Sequence, residues 1–162
     1  MPVPVIIAAA QENYRFNSDL LAKMVGDLSR EEWLRRPNEN ANHITWIVGH
    51  MMWARRDALV RLGPEWSKPW LDSFAIHAKC EDNAAYPSPD ALMGAWREVS
   101  GILAGALGSV SEEVLSQPSP KGPPTADGKI SGAVNYLAIH ETYHLGQVSN
   151  LRSWLGHKGV IG

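Results

Sequence analysis

The feature that most constrains this chain is a helical repeat of apolar residues, which recurs in four long segments with no sustained strand alternation between them. In the first, from Val5 to Leu28, the positions Ile7, Ala10, Tyr14, Leu21, Met24 and Leu28 keep one face of a helix, and Asn17 interrupts the stripe. The second runs from Asn42, whose side chain suits an N-cap, to Gly63, which suits a helix end. The third opens with Ser88 as cap and Pro89 in the first turn, and aligns Leu92, Trp96, Val99, Leu103 and Ala106. The fourth begins near Ser131 and carries Val134, Leu137, His144, Val148, Leu151 and Leu155 toward Gly156. Amphipathic helices of this length bury their stripes against one another, so the pattern predicts an all-α four-helix bundle forming a single domain over residues 1–162.

The connections are unequal. Segments 64–87 and 118–129 contain most of the prolines, and long loops in a compact domain usually carry function or close one end of the fold. The first contains Trp66, Trp70, Phe74, His77 and Tyr86, side chains suited to shaping specificity. A faint internal echo, "GDLSREEWLRRP" at 26–37 and "GSVSEEVLSQP" at 108–118, predicts a short capped helical turn before each histidine-bearing helix.

Charge excludes some functions. Fifteen basic residues stand against seventeen acidic ones, with no basic block, so neither nucleic acid nor an anionic membrane surface is an expected partner. The apolar start "VPVIIAAA" breaks into "QENYRFNSD" too early to cross a bilayer and reads as the first turns of a helix. A single cysteine, Cys80, leaves no internal disulfide and no all-cysteine metal site; it reads as a small packed hydrophobe in a reducing, cytoplasmic protein.

Chemistry concentrates at "IHETYHLGQ", residues 139–147. His140 and His144 are four apart on a helix and lie one above the other, close enough to chelate one ion. The segment matches the H-E-x-x-H pattern of zinc proteases, but the downstream ligand such proteases need is missing: Gln147 and Asn150 occupy the metzincin glycine and histidine positions, and no Asp or Glu follows His144. Upstream, His50 lies in the middle of the second helix between Trp46 and Trp53, placed to complete a three-histidine site inside the bundle. The bland alternative is three packed histidines, each hydrogen-bonded to a neighbour. A closed fourth ligand, from His43, His157 or Glu141, would point to a structural ion rather than a reactive one.

At these residues the chain resembles the DinB-like (YfiT-like) superfamily of metal-dependent enzymes. The resemblance rests on one histidine within "GHMMWARRD", the H-x-x-x-H-x-G-Q segment "HETYHLGQ", "AYPSPDALMGAWREV" before the third helix, and "LSREEWLRRP" after the first. It implies an up-down-down-up bundle, a homodimer, and a divalent transition metal such as zinc or nickel held by His50, His140 and His144. Characterised relatives include S-transferases that use a low-molecular-weight thiol and a mycothiol-dependent isomerase, so a thiol S-transferase acting on a small-molecule substrate is the expected function. A metal-dependent hydrolase and a non-catalytic metal-binding dimer are the alternatives.

Three neutral imidazoles leave the ion's charge intact, so a thiol or water beside it ionises more readily. Around the triad, Glu141 is a candidate general base although it sits about 100° around the helix from His140. Gln147 is a candidate for supporting a ligand or facing substrate. Asn17, Trp46 and Trp53 are candidate pocket walls, with helix register and core packing as the plain alternatives. Arg55, Arg56 and Arg152 read as solvated surface charge.

Overall fold

The computed structural model describes residues 3–82 and 85–161. Five helices form: α1, Val5–Val25; α2, Ile44–Leu62; α3, Pro89–Ser109; the single turn α4, Glu112–Leu115; and α5, Ile130–Trp154. Two 3-10 turns, Glu32–Leu34 and Leu71–Phe74, punctuate the connections. Among the described residues there is no strand, only an isolated bridge between Pro118 and Lys129 that pinches the base of the second long loop. The fold is all-α, and among the described residues no helix is long and apolar enough to cross a membrane.

The four long helices close a ring in which α1 touches α5 and α3, and α2 touches the same two. Side-chain contacts give the directions. Asn135 donates to the Ile6 carbonyl, Asn17 to Thr142 Oγ1, and Arg152 to the Met24 carbonyl, so α1 and α5 run the same way. Arg55 reaches Ser100 and Glu141, while Trp96 donates to the Ser18 carbonyl. His50 meets His144 as Trp53 and Ala54 border the same cavity as Tyr136 and Leu137, which sets α2 antiparallel to α5. The enclosed core holds the inward stripes, with Ile7, Leu21, Met51, Leu59, Leu92, Trp96 and Val148 sealed from solvent.

Local chemistry moves several helix ends. α1 stops at Val25 rather than Leu28, because Asp27 beyond it is drawn into an ion pair with Arg152. The N-cap of α2 is His43 and not Asn42: its Nδ1 accepts the Trp46 amide at 3.1 Å, leaving one fewer unsatisfied donor. α5 starts at Ile130, after Asp127 accepts the Lys129 amide. It ends before Leu155, where Gly156 takes a positive φ of 92°. The two echoing segments do form capped turns: Ser29 and Glu32 exchange backbone and side-chain hydrogen bonds, and Ser111 accepts the Val114 amide. Cys80 is half-buried at the edge of the core, and burial raises its thiol pKa.

Two of the arginines read as surface charge are buried. Arg55 and Glu141 are each 1 % exposed and form a bidentate pair across α2 and α5, at 2.6 and 2.8 Å. The Arg55 guanidinium also lies 3.7 Å over the Trp96 ring and bonds Ser18, Ser100 and the Tyr14 carbonyl. Every face of the cation is occupied, which is what makes a charge tolerable in the core. Arg152 is likewise buried and ties the end of α5 to Asp27 and the Lys158 carbonyl. Arg56 alone of the three stays near solvent, paired with the exposed Asp72.

Candidate metal centre

α2 and α5 bring His50, His140 and His144 together, with one ring nitrogen from each within 4.8 Å of the others. Each histidine is aimed by a different device. His50 is sandwiched between Trp46 and Trp53, at ring-centroid distances of 4.8 and 5.9 Å with near-parallel planes. Its Nδ1 lies 2.8 Å from the Phe74 carbonyl and therefore carries the proton, so the lone pair is on Nε2. His144 Nδ1 lies 2.7 Å from Gln147 Oε1, and Gln147 in turn donates to the Tyr143 hydroxyl. That arrangement also leaves the His144 lone pair on Nε2. His140 Nε2 faces His144 Nε2 at 3.0 Å, while His140 Nδ1 is buried without a partner among the described atoms.

These residues fit a divalent transition ion. Two imidazole lone pairs do not face one another at 3.0 Å unless a proton or a cation lies between them. An ion about 2.0–2.1 Å from each nitrogen sets neighbouring ligand nitrogens roughly 3.0–3.4 Å apart, the spacing of this pair. All three imidazoles are held neutral: burial lowers the pKa of His50, and it lowers His140 and His144 to about 4, with the neighbouring histidines adding a smaller push. Neutral imidazole is the ligating form.

Beside the triad lies a cavity of about 530 Å³, bordered by His50 and His140. Trp53, Ile76, Pro123, Pro124 and Tyr136 give it apolar walls, and Asp57, His77 and Lys121 give it a polar end. The helices form its floor and the two long loops its roof. Arg61, buried near the end of α2, secures one loop: it bonds Ser119 Oγ at 2.9 Å and the Pro120 carbonyl at 3.2 Å, and is held by Asp57. Gly122 lies against the same side chain, and a methyl group there would overlap the Arg61 guanidinium unless it shifted.

The other sequence candidates fall in different places. Gln147 supports His144 and rims a second hollow of about 420 Å³ with Asn40, Asn42 and Asn150. Trp53 lines the large cavity, whereas Trp46 is buried behind His50 and borders neither hollow. Asn17 is buried against Thr142 between α1 and α5 and faces a separate groove with Phe16 and Met24. Glu141 spends both carboxylate oxygens on Arg55. His43 is a helix cap and His157 bonds Glu32 at 2.7 Å, so neither joins the triad. Sequence reasoning missed Arg55, Arg61 and the Phe74 carbonyl. For Arg55 a signal existed, since it sits on the inward stripe with Met51, Met52 and Leu59, where an unpaired charge would be untenable.

No curated protein matches the chain. A family model described as the DinB superfamily matches residues 13–148, a span that takes in both histidine-bearing helices as far as His144, and the chain belongs to the DinB superfamily.

Proposed function

We propose that this protein is a metal-dependent transferase that moves the sulfur of a low-molecular-weight thiol onto a small electrophile, using zinc or nickel held by His50, His140 and His144. The observation that carries the reading is the convergence of three neutral imidazoles, two of which, His50 and His140, border a cavity large enough for a small molecule. A divalent ion there supplies positive charge that lowers the pKa of a thiol placed beside it. Trp53 and Tyr136 hold the apolar part of the acceptor, and Lys121 or His77 meets its polar end. The new C–S bond forms as the acceptor's leaving group departs with its electron pair, and the thiol proton passes to solvent.

Thiol transfer is favoured over hydrolysis by the state of the carboxylates. Hydrolysis gains from a free general base, but Glu141 is committed to Arg55 and Asp57 to Arg61. A thiol needs no such base, because beside the ion it gives up its proton to solvent near neutral pH and attacks as the thiolate. In this reading Glu141 is a counter-ion that holds two helices together, Gln147 keeps the His144 lone pair on Nε2, and Asn17 fixes the register of α1 on α5. The protein acts in the cytoplasm as a homodimer, consistent with exposed Phe16 on α1 and Ile139 and Tyr143 on α5.

Elemental analysis of the purified protein beside a His50→Ala variant, each offered zinc, nickel, manganese and iron separately, tests the site. Near-stoichiometric metal in the wild type and loss in the variant are expected, followed by turnover of an activated electrophile with cysteine, glutathione, bacillithiol or mycothiol. Wild-type protein that takes up no metal, or a variant that retains it fully, overturns the reading.

A further inference from the structure

We propose that Gly49 is a positioning residue of the histidine centre, acting on His50 through the ring and carbonyl of Phe74; the inference deepens the metal reading above. His50 depends on Phe74 for its tautomer, since the Phe74 carbonyl is what holds a proton on Nδ1. That carbonyl ends the 3-10 turn Leu71–Phe74, a piece of the long loop between α2 and α3 and outside every helix of the bundle. What brings it to α2 is the Phe74 side chain, which is fully buried.

The ring lies directly on the bare backbone of α2 at Gly49. A Cβ added there would fall inside the van der Waals envelope of three Phe74 ring carbons, closer than real Cβ atoms approach anything. Aromatic neighbours hem the ring in. Tyr86 stacks on it at a centroid distance of 5.3 Å, and Trp70 closes it edge-on at 5.9 Å. A side chain at 49 therefore displaces the ring, the ring carries the turn with it, and the Phe74 carbonyl leaves His50 Nδ1. Glycine is otherwise a poor choice in the middle of a helix, where it costs stability relative to alanine. Three helical glycines on α3, Gly94, Gly101 and Gly105, have open space where a Cβ would go, so close approach is not a general property of glycine in this fold.

The test reads His50 itself before it reads the metal. Long-range 15N–1H spectra of the imidazoles in metal-free protein report which ring nitrogen is protonated, and chelator competition then gives zinc affinity. Wild type is expected to show His50 protonated at Nδ1. Gly49→Ala is expected to lose that fixed tautomer and to bind zinc roughly 10–100-fold more weakly, the usual effect of removing a ligand's outer hydrogen bond. Gly101→Ala is the control and should match wild type in both. Phe74→Ala keeps the carbonyl, adds no overlap and removes the ring that seats it, so it should reproduce the tautomer loss even if Gly49→Ala folds poorly. A Gly49→Ala or Phe74→Ala variant that keeps the proton on His50 Nδ1 overturns the proposal. Failure of the metal reading looks different: wild type would keep the Nδ1 proton and bind no zinc, and the effect of the two variants on the tautomer would still decide the role of Gly49.

Discussion

His140 and His144 differ from ordinary surface histidines because burial strips water from their charged forms, and that cost appears as pKa values of about 4 against the usual 6.5. The consequence for the metal-free protein follows from proton counting. Between those values the unfolded chain binds more protons than the folded one, so stability rises with pH there and falls as the solution is acidified. The contribution is full above pH 6.5 and is lost progressively toward pH 4. Urea denaturation at a series of pH values, with chelator present, should show the midpoint dropping through that window. Replacing His140 and His144 by non-titrating residues should flatten it. At the same scale the three histidines are unequally supported: His50 and His144 each have a fixed partner on Nδ1, whereas His140 has none among the described residues.

At the scale of the elements, the α2–α5 contact rests on the Arg55–Glu141 pair as much as on apolar packing. Removing one partner leaves the other charge buried and unanswered, so Arg55→Met or Glu141→Gln should each cost about 3–5 kcal/mol in urea unfolding. The double replacement Arg55→Met/Glu141→Leu should cost less than the sum, because no orphaned charge remains. Arg61 does a different job. Arg61→Ala should leave the helices protected and expose residues 118–129 to faster hydrogen exchange, since the Ser119 and Pro120 contacts are what hold that loop down. The helices themselves were readable in the sequence, because a stripe such as Leu92–Trp96–Val99–Leu103 has only one periodicity. The triad was readable from spacing: His140 and His144 stand four apart on one helix, and His50 lies mid-helix between two tryptophans on another. For Arg55 the inward stripe marked the depth but not the partner, Glu141, 86 residues away, and nothing in the periodicity marked Arg61, whose depth depends on a loop carbonyl. Glu141 misled in the opposite sense, since proximity to the histidines in sequence suggested chemistry while its carboxylate points at another helix.

At the scale of the whole molecule, several of the exposed apolar residues lie on α1 and α5. Ile139 and Tyr143 are 65 and 64 % exposed and one turn apart, and Phe16 is 52 % exposed on the neighbouring helix. A homodimer through this face predicts that Ile139→Asp with Tyr143→Asp shifts sedimentation to the monomer while the metal content per chain stays unchanged. A monomeric wild type would remove the dimer from the proposal and leave the histidine centre as it is. The resemblance in sequence implied a dimer but not the face it uses, because single exposed hydrophobic residues are common.

The cavity has a floor of packed helices and a roof of loop, and the two halves answer to different pressures. Exchanging a floor residue disturbs the core on which folding depends. Exchanging Ile76, His77, Lys121 or Pro123 disturbs little except the shape of the entrance. A lineage carrying this scaffold can therefore alter what the cavity admits by rewriting the roof, keep the same three histidines throughout, and never pass through an unfolded ancestor.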